Sequence, residues 1–152
     1  MKIFVTVGTT RFDSLVQYIA ENEYFRTHEC VLQVGSGGPH PDSFQVFDYT
    51  NQIDRFYAWA DVIITHAGAG SIYRLLDMRK SLVIVPNTDR LDPHQSDIAR
   101  FMHENGHALA VDSLPELTAF VEKAATMRFH PFEREAFFAV EDILNFIASE
   151  VN

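Results

Sequence analysis

The stretch VIITHAGAGSIYRLL, residues 62–76, runs from an apolar segment through a glycine-alanine-glycine turn into residues at helical spacing. Gly68 and Gly70 let the backbone come close to a ligand, and Ala69 between them adds only a methyl group. A helix starting near Ser71 aims its unpaired first-turn amides, and the positive end of its dipole, at the same place. That combination favours an anion, each dipole–charge interaction contributing roughly 0.3–1 kcal/mol. Ser71 has two readings, a hydroxyl donor to a phosphate oxygen or the cap of its own helix. So does His66: at a strand's carboxyl end it is either a general base or a structural imidazole.

Two other loops carry polar groups in comparable positions. VGTTRFD offers the backbone donors of Gly8, Thr9 and Thr10 plus two hydroxyls, or else is a plain strand–helix connection with threonine as the cap. NTDRLDPHQSD sets Asp92, His94 and Gln95 at the start of a helix. Such side chains donate or accept in fixed directions, as the hydroxyls of a sugar require. Their alternative is structural, with Asp92 an N-cap and the other two solvated first-turn residues.

Other chemistries find less support. A dinucleotide fingerprint wants G-x-G-x-x-G in the first strand–helix turn, whereas here the third glycine position is Tyr73 and the motif lies in the second half of the chain. No Ser-His-Asp set or carboxylate pair can be assembled from spacing. His94, His103 and His107 are spread along one helix and its exit without a carboxylate or cysteine cluster, so no metal and no cofactor are expected. The net charge of −9 over 152 residues disfavours general attraction to nucleic acid or to an anionic membrane, so a bound phosphate must be gripped locally. The lone Cys30 rules out an internal disulfide and reads as a small buried hydrophobe. No leader is expected at MKIFVTVG, and no apolar run approaches the ~18 residues that span a bilayer.

These loops need a frame. KIFVTVG, ECVLQVG, FQVFDYT, DVIITH, SLVIVP and HALAVD read as six strands, and helical periodicity separates them: Phe12, Leu15, Val16 and Ile19 in one segment, Ile53, Phe56, Tyr57 and Ala60 in another. Gly106 suits a helix C-cap after DPHQSDIARFMHEN. Strands apolar on both sides, alternating with helices, imply an α/β fold: a doubly wound, Rossmann-like parallel sheet in one domain spanning residues 1–152. Ligands then sit beyond the carboxyl ends of the strands, so the loops after Val7, His66 and Pro86 should share one rim.

FVTVGTTRFDSLV, THAGAGSIYRLLDMRKSLVIVP and DPHQSDIARFMHENG, in that order, resemble the donor-binding half of family 28 GT-B glycosyltransferases. The resemblance covers nearly the whole chain and is nearest to the short single-domain members, the Alg13-like subunits and the exopolysaccharide subunits of the PssE and EpsF type. It implies one half of a GT-B fold that binds a UDP-sugar such as UDP-GlcNAc or a UDP-hexose. Gly8, Thr9 and Thr10 would form the first turn facing the cleft, His66, Gly68, Ala69, Gly70 and Ser71 the diphosphate loop, and Asp92, His94 and Gln95 the contact to sugar hydroxyls. The family commonly has a glutamate three residues after the loop serine, accepting from the ribose; this chain has Arg74, which has no acceptor. Arg74 either serves a phosphate, pairs with a carboxylate such as Asp77 one turn later, goes with an altered ribose recognition, or marks an accessory subunit that no longer binds nucleotide.

The resemblance further implies inverting transfer, completed by a membrane-associated partner of the Alg14 or PssD type that keeps a cytoplasmic chain at the membrane. The sequence adds its own hint. A terminal amphipathic helix over residues 131–151 would carry Phe137, Phe138, Leu144 and Ile147 on a broad apolar stripe, wider than one side of a small sheet needs. That stripe packs on the partner, on a second copy in isolation, or back onto its own domain.

Overall fold

The computed structural model describes residues 1–90 and 93–133. Asp92 and the expected terminal helix from residue 134 onward, with Phe137, Phe138, Leu144 and Ile147, lie outside the described residues. Six parallel strands form a single sheet: β1 (Lys2–Thr6), β2 (Glu29–Gln33), β3 (Gln45–Phe47), β4 (Val62–His66), β5 (Ser81–Val85) and β6 (Leu109–Ala110). Between and after them run α1 (Asp13–Glu21), α2 (Glu23–Arg26), α3 (Ile53–Trp59), α4 (Ala69–Asp77), α5 (Pro93–Glu104) and α6 (Leu117–Thr126), the last entered through a 3₁₀ turn at Leu114–Glu116. The spatial order β3-β2-β1-β4-β5-β6 reverses direction between β1 and β4. In open α/β sheets, the crevice at that reversal is where ligands bind.

The alternation of strand side chains explains why the sheet is covered twice. Ile3, Val5 and Val7 point with Leu32, Ile64 and Val83 into a core completed by Leu15, Val16 and Ile19 of α1, Phe25 of α2 and Leu117 and Val121 of α6. Phe4, Ile63, Leu82 and Ile84 point the other way, against Tyr57 of α3, Ile72 and Leu75 of α4 and Met102 of α5. A strand buried on both faces has to be apolar along its middle, and the central strands are, with polar residues only toward their ends. Phe4, fully buried, stacks on Phe56 at 5.3 Å between ring centroids and meets Tyr57 edge-on at 5.9 Å. Those contacts fix α3 against β1, and each pair adds roughly 0.5–1.5 kcal/mol beyond area burial.

Several local expectations are met and others refined. Gly106 ends α5 at φ 70°, with His107 N donating to the Met102 carbonyl at 2.9 Å. The same motif closes α4, where Lys80 N reaches the Leu75 carbonyl at 3.1 Å, but there Arg79 occupies the left-handed position at φ 53°. Helix α1 ends at Asn22, whose side chain caps α2 by accepting from Tyr24 N at 3.0 Å. The strands read from FQVFDYT and HALAVD shorten to their central residues, because each lies on an outer edge with pairing on one side only. Cys30 is buried in β2, and burial pushes its thiol up to about 12, so it is an inert apolar group.

Candidate functional site

The carboxyl edge of the sheet is polar where the strands themselves are apolar. Thr65, Thr6 and Gln33 stand in register across β4, β1 and β2, all buried. The Thr6 hydroxyl donates to Gln33 Oε1 at 2.6 Å and accepts from Gly8 N at 3.2 Å, so this row holds the first turn in place. Gly8 has φ 63°, and a Cβ on it would lie 2.9 Å from His66 Cε1. Only glycine fits both demands.

His66 ends β4, is 8% exposed, and sits between Gly8 and Gly68. A Cβ on Gly68 would collide with its Nε2 and stand 2.7 Å from Cε1. Both glycines of the notional loop pair therefore make room for an imidazole as well as for a ligand. Burial holds the ring below its ordinary pKa, with the Thr6 backbone pulling weakly the other way, so the ring is neutral at pH 7. Its Nδ1 is buried without a hydrogen-bond partner among the described residues. Such an atom is expensive to leave unpaired.

The helix that follows begins at Ala69, two residues before Ser71, with Gly68 as N-cap and no side-chain cap. Ser71 is therefore not the cap. It is the third helical residue, its hydroxyl beside the Tyr57 phenol. Gly68 N is taken by the His66 carbonyl at 2.8 Å, and the first intrahelical bond runs from Ile72 N to the Gly68 carbonyl at 3.1 Å. The amides of Ala69, Gly70 and Ser71 are left as the first-turn donors, and Ala69 and Gly70 are exposed.

The equivalent end of α1 is closed. Asp89, from the loop after β5, accepts from Ser14 N at 3.1 Å and from Ser14 Oγ at 2.6 Å. A carboxylate already occupies the anion position there. Of Gly8, Thr9 and Thr10, the first two line the crevice; Thr10 N instead donates to the Val7 carbonyl at 3.3 Å.

Beside these turns opens a cleft of about 330 Å³. Thr9, Arg74, Gln33 and Tyr57 line it, together with the segment Tyr49–Asn51. Tyr49 is 71% exposed there. Sequence reasoning missed this segment and the buried Thr6 and Gln33; the available signal was a polar residue near the end of each otherwise apolar central strand. Arg74 lines the cleft, but its Nη2 is held 2.5 Å from Asp54 Oδ2 of α3. The carboxylate partner is thus found on the neighbouring helix, where the expectation had placed it at Asp77.

The third loop takes a different role from the one expected. Gln95 Oε1 accepts from Asn87 N at 3.1 Å, and Asn87 Nδ2 donates to the Arg11 carbonyl at 2.9 Å. Gln95 therefore braces the loop after β5 against the loop after β1. His94 is exposed in the first turn of α5 and, like Gln95, does not line the cleft. Asn87 and Asp89, the residues that tie the rim together, were not singled out by the sequence reading.

A doubly wound sheet, a glycine-opened helix start at the strand reversal and an adjoining polar cleft define a Rossmann-like α/β domain. The chain belongs to the glycosyltransferase family 28 C-terminal domain family, whose model matches residues 2–136. It is 37% identical over 119 residues to the mouse UDP-N-acetylglucosamine transferase subunit ALG13, an alignment covering 70% of this chain and 10% of that protein. The Yarrowia lipolytica protein of the same name is 28% identical over 149 residues, 88% of this chain and 76% of the relative. Among solved structures, the fold matches the solution structure of ALG13 with TM-score 0.61 and 23% identity over 94% of both chains. It also matches Acinetobacter baumannii MurG with TM-score 0.59 and 17% identity, covering 97% of this chain and 49% of that one. Thus the chain spans about a tenth of its mouse relative and about half of MurG, with the same Rossmann-like half-fold.

Proposed function

We propose that residues 1–152 form one nucleotide-sugar-binding domain, the donor-binding subunit of a two-component inverting glycosyltransferase that acts in lipid-linked glycan or exopolysaccharide assembly. The observation that carries this reading is the uncapped start of α4, at the strand reversal, against the ring of His66, whose Nδ1 has no partner among the described residues. The diphosphate of a UDP-sugar lies on the amides of Ala69, Gly70 and Ser71, with His66 Nδ1 supplying one further hydrogen bond. The base stacks on Tyr49, and the ribose takes the polar floor of the cleft. As the glycosidic bond breaks, charge grows on the leaving phosphate, and the α4 amides stabilise it where it develops. The acceptor and the base that deprotonates it come from a second, membrane-associated subunit, which holds this chain at the cytoplasmic face of a membrane. The names of the mouse and Yarrowia relatives support N-acetylglucosamine as the sugar and a subunit as the form. Residues Phe137, Phe138, Leu144 and Ile147 are the candidates for the subunit contact.

Titration of UDP against the chain, followed by backbone amide shifts, tests the reading. Shifts at Ala69, Gly70 and Ser71, with Ser14 unmoved, are expected; sugar transfer should need the second subunit. One observation favours a second reading, an accessory subunit without nucleotide: Arg74 on the cleft wall is tied to Asp54. Absence of amide shifts at millimolar UDP would select it.

A further inference from the structure

At the amino ends of the strands, the edge of the sheet opposite the candidate donor cleft, a second cleft of about 300 Å³ opens between the C-terminal ends of α4 and α6. Arg79, Lys80, Arg128, His107 and His130 all line it, and among the described residues no aspartate or glutamate does. The chain as a whole has 12 Lys and Arg against 21 Asp and Glu, so this cleft inverts the charge of the molecule. Neither Arg79 nor Arg128 forms an ion pair among the described residues. The Lys80 ammonium donates to the Ala58 carbonyl at 3.4 Å and feels the charge of Asp61. His107 Nδ1 bonds the His130 carbonyl at 3.0 Å and His130 Nδ1 the Asn105 carbonyl at 3.1 Å. A carbonyl only accepts, so each Nδ1 carries the hydrogen and each Nε2 is left for another partner.

Arg79 is a second, independent sign. It sits at φ 53° in the position that Gly106 fills in the equivalent motif after α5. A glycine there would avoid the cost of a left-handed backbone, and the arginine places a guanidinium on the cleft wall instead. The remaining wall is apolar, with Leu76, Phe129 and Phe132.

We propose that this cleft binds the phosphate of an anionic amphiphile, a phospholipid headgroup at a membrane surface, through Arg79, Lys80 and Arg128, with Phe129 and Phe132 toward the acyl region. Cations beside aromatic and aliphatic side chains match the boundary between headgroups and acyl chains; an inorganic phosphate would leave the apolar wall wet. The net charge of −9 repels the rest of the surface from an anionic bilayer, so the cleft fixes the orientation of the chain on it. The site is separated from the donor cleft by the length of β5, about 16 Å at strand rise, and its test does not depend on nucleotide binding.

The full chain is sedimented with vesicles of phosphatidylcholine alone and with vesicles containing about 30 mol% phosphatidylglycerol, a composition that gives a negative surface potential. Binding to the anionic vesicles only is expected. Arg79→Asn, which keeps the left-handed backbone, and Arg128→Gln should each weaken that binding about fivefold, and the double variant about 25-fold. Thermal midpoints of the variants, unchanged or raised, show that the fold is intact. Equal binding to both vesicle types, or a double variant that sediments like the parent, would overturn the proposal. So would saturable binding of inorganic phosphate at Arg79 and Arg128, read by amide shifts, without any vesicle binding.

Discussion

Asp89 caps helix α1 from a loop 75 residues away in sequence, its carboxylate accepting both the amide and the hydroxyl of Ser14. The residue in the N-cap position itself, Phe12, is a fully buried core side chain that makes no cap bond. Asp89 thus supplies from outside the bond that the local sequence has given up to packing, and it closes one of the two helix starts on the rim. Asp89→Ala should lower stability by about 1 kcal/mol, the usual cost of a lost cap. Thermal unfolding checks this. UDP shifts at Ala69–Ser71 should persist in the variant, because the α4 site does not use the carboxylate.

Gly68 and Gly70 look alike in sequence and should respond oppositely. A Cβ at Gly68 meets the buried His66 ring, so Gly68→Ala should cost about 1–3 kcal/mol and abolish UDP binding. Nothing lies within 4 Å of a Cβ at Gly70, which is inside α4. Gly70→Ala should therefore stabilise the fold by roughly 0.5–1 kcal/mol while its methyl keeps a phosphate at a distance. Unfolding and UDP titration on the two variants give the comparison.

The pH dependence of stability follows from His66. Its pKa is lowered in the folded state by burial, so the unfolded chain takes up the proton first as pH falls. The stabilisation is present in full above about pH 6.5, the ordinary imidazole value, and is lost as pH drops from there through the folded pKa. His66→Gln should flatten this segment of the stability–pH curve. A diphosphate on Nδ1 favours the protonated ring, so UDP should bind more tightly to the parent as pH falls over the same window. A parent whose UDP affinity is constant across it would remove His66 from the phosphate contact.

Tyr49 lines the cleft with an exposed ring. Removing a base-stacking ring costs roughly 1–3 kcal/mol of binding. Tyr49→Ala should therefore weaken UDP about tenfold or more, and leave the thermal midpoint unchanged because the ring buries little surface. Calorimetric titration with UDP, set beside a parallel titration with pyrophosphate, separates base contact from phosphate contact: only the first should change.

The sheet and the phosphate turn were legible because they are local. Period-two runs such as VIITH and LVIV, apolar on both faces, require helices on both sides, and a glycine turn ahead of Ile72, Leu75 and Leu76 marks a helix start whatever surrounds it. The same locality left Ser71 and Gln95 with two readings each. Whether a serine caps or sits two residues inside depends on where the first turn closes, and Gln95 faces inward only because Asn87 N lies within reach across the loop.

Sequence alone fixed the order of the elements, the glycines that bring a backbone within reach of an anion, and the departure at Arg74. Tertiary structure decided which of two similar helix starts stays open, that the carboxylate for Arg74 is Asp54, and that three cationic side chains and two imidazoles from three separate segments line one cleft. Hydrophobic period and glycine geometry act between residues a few positions apart and are written along the chain. Electrostatic partners act through space, so they become visible only once distant segments have been packed side by side.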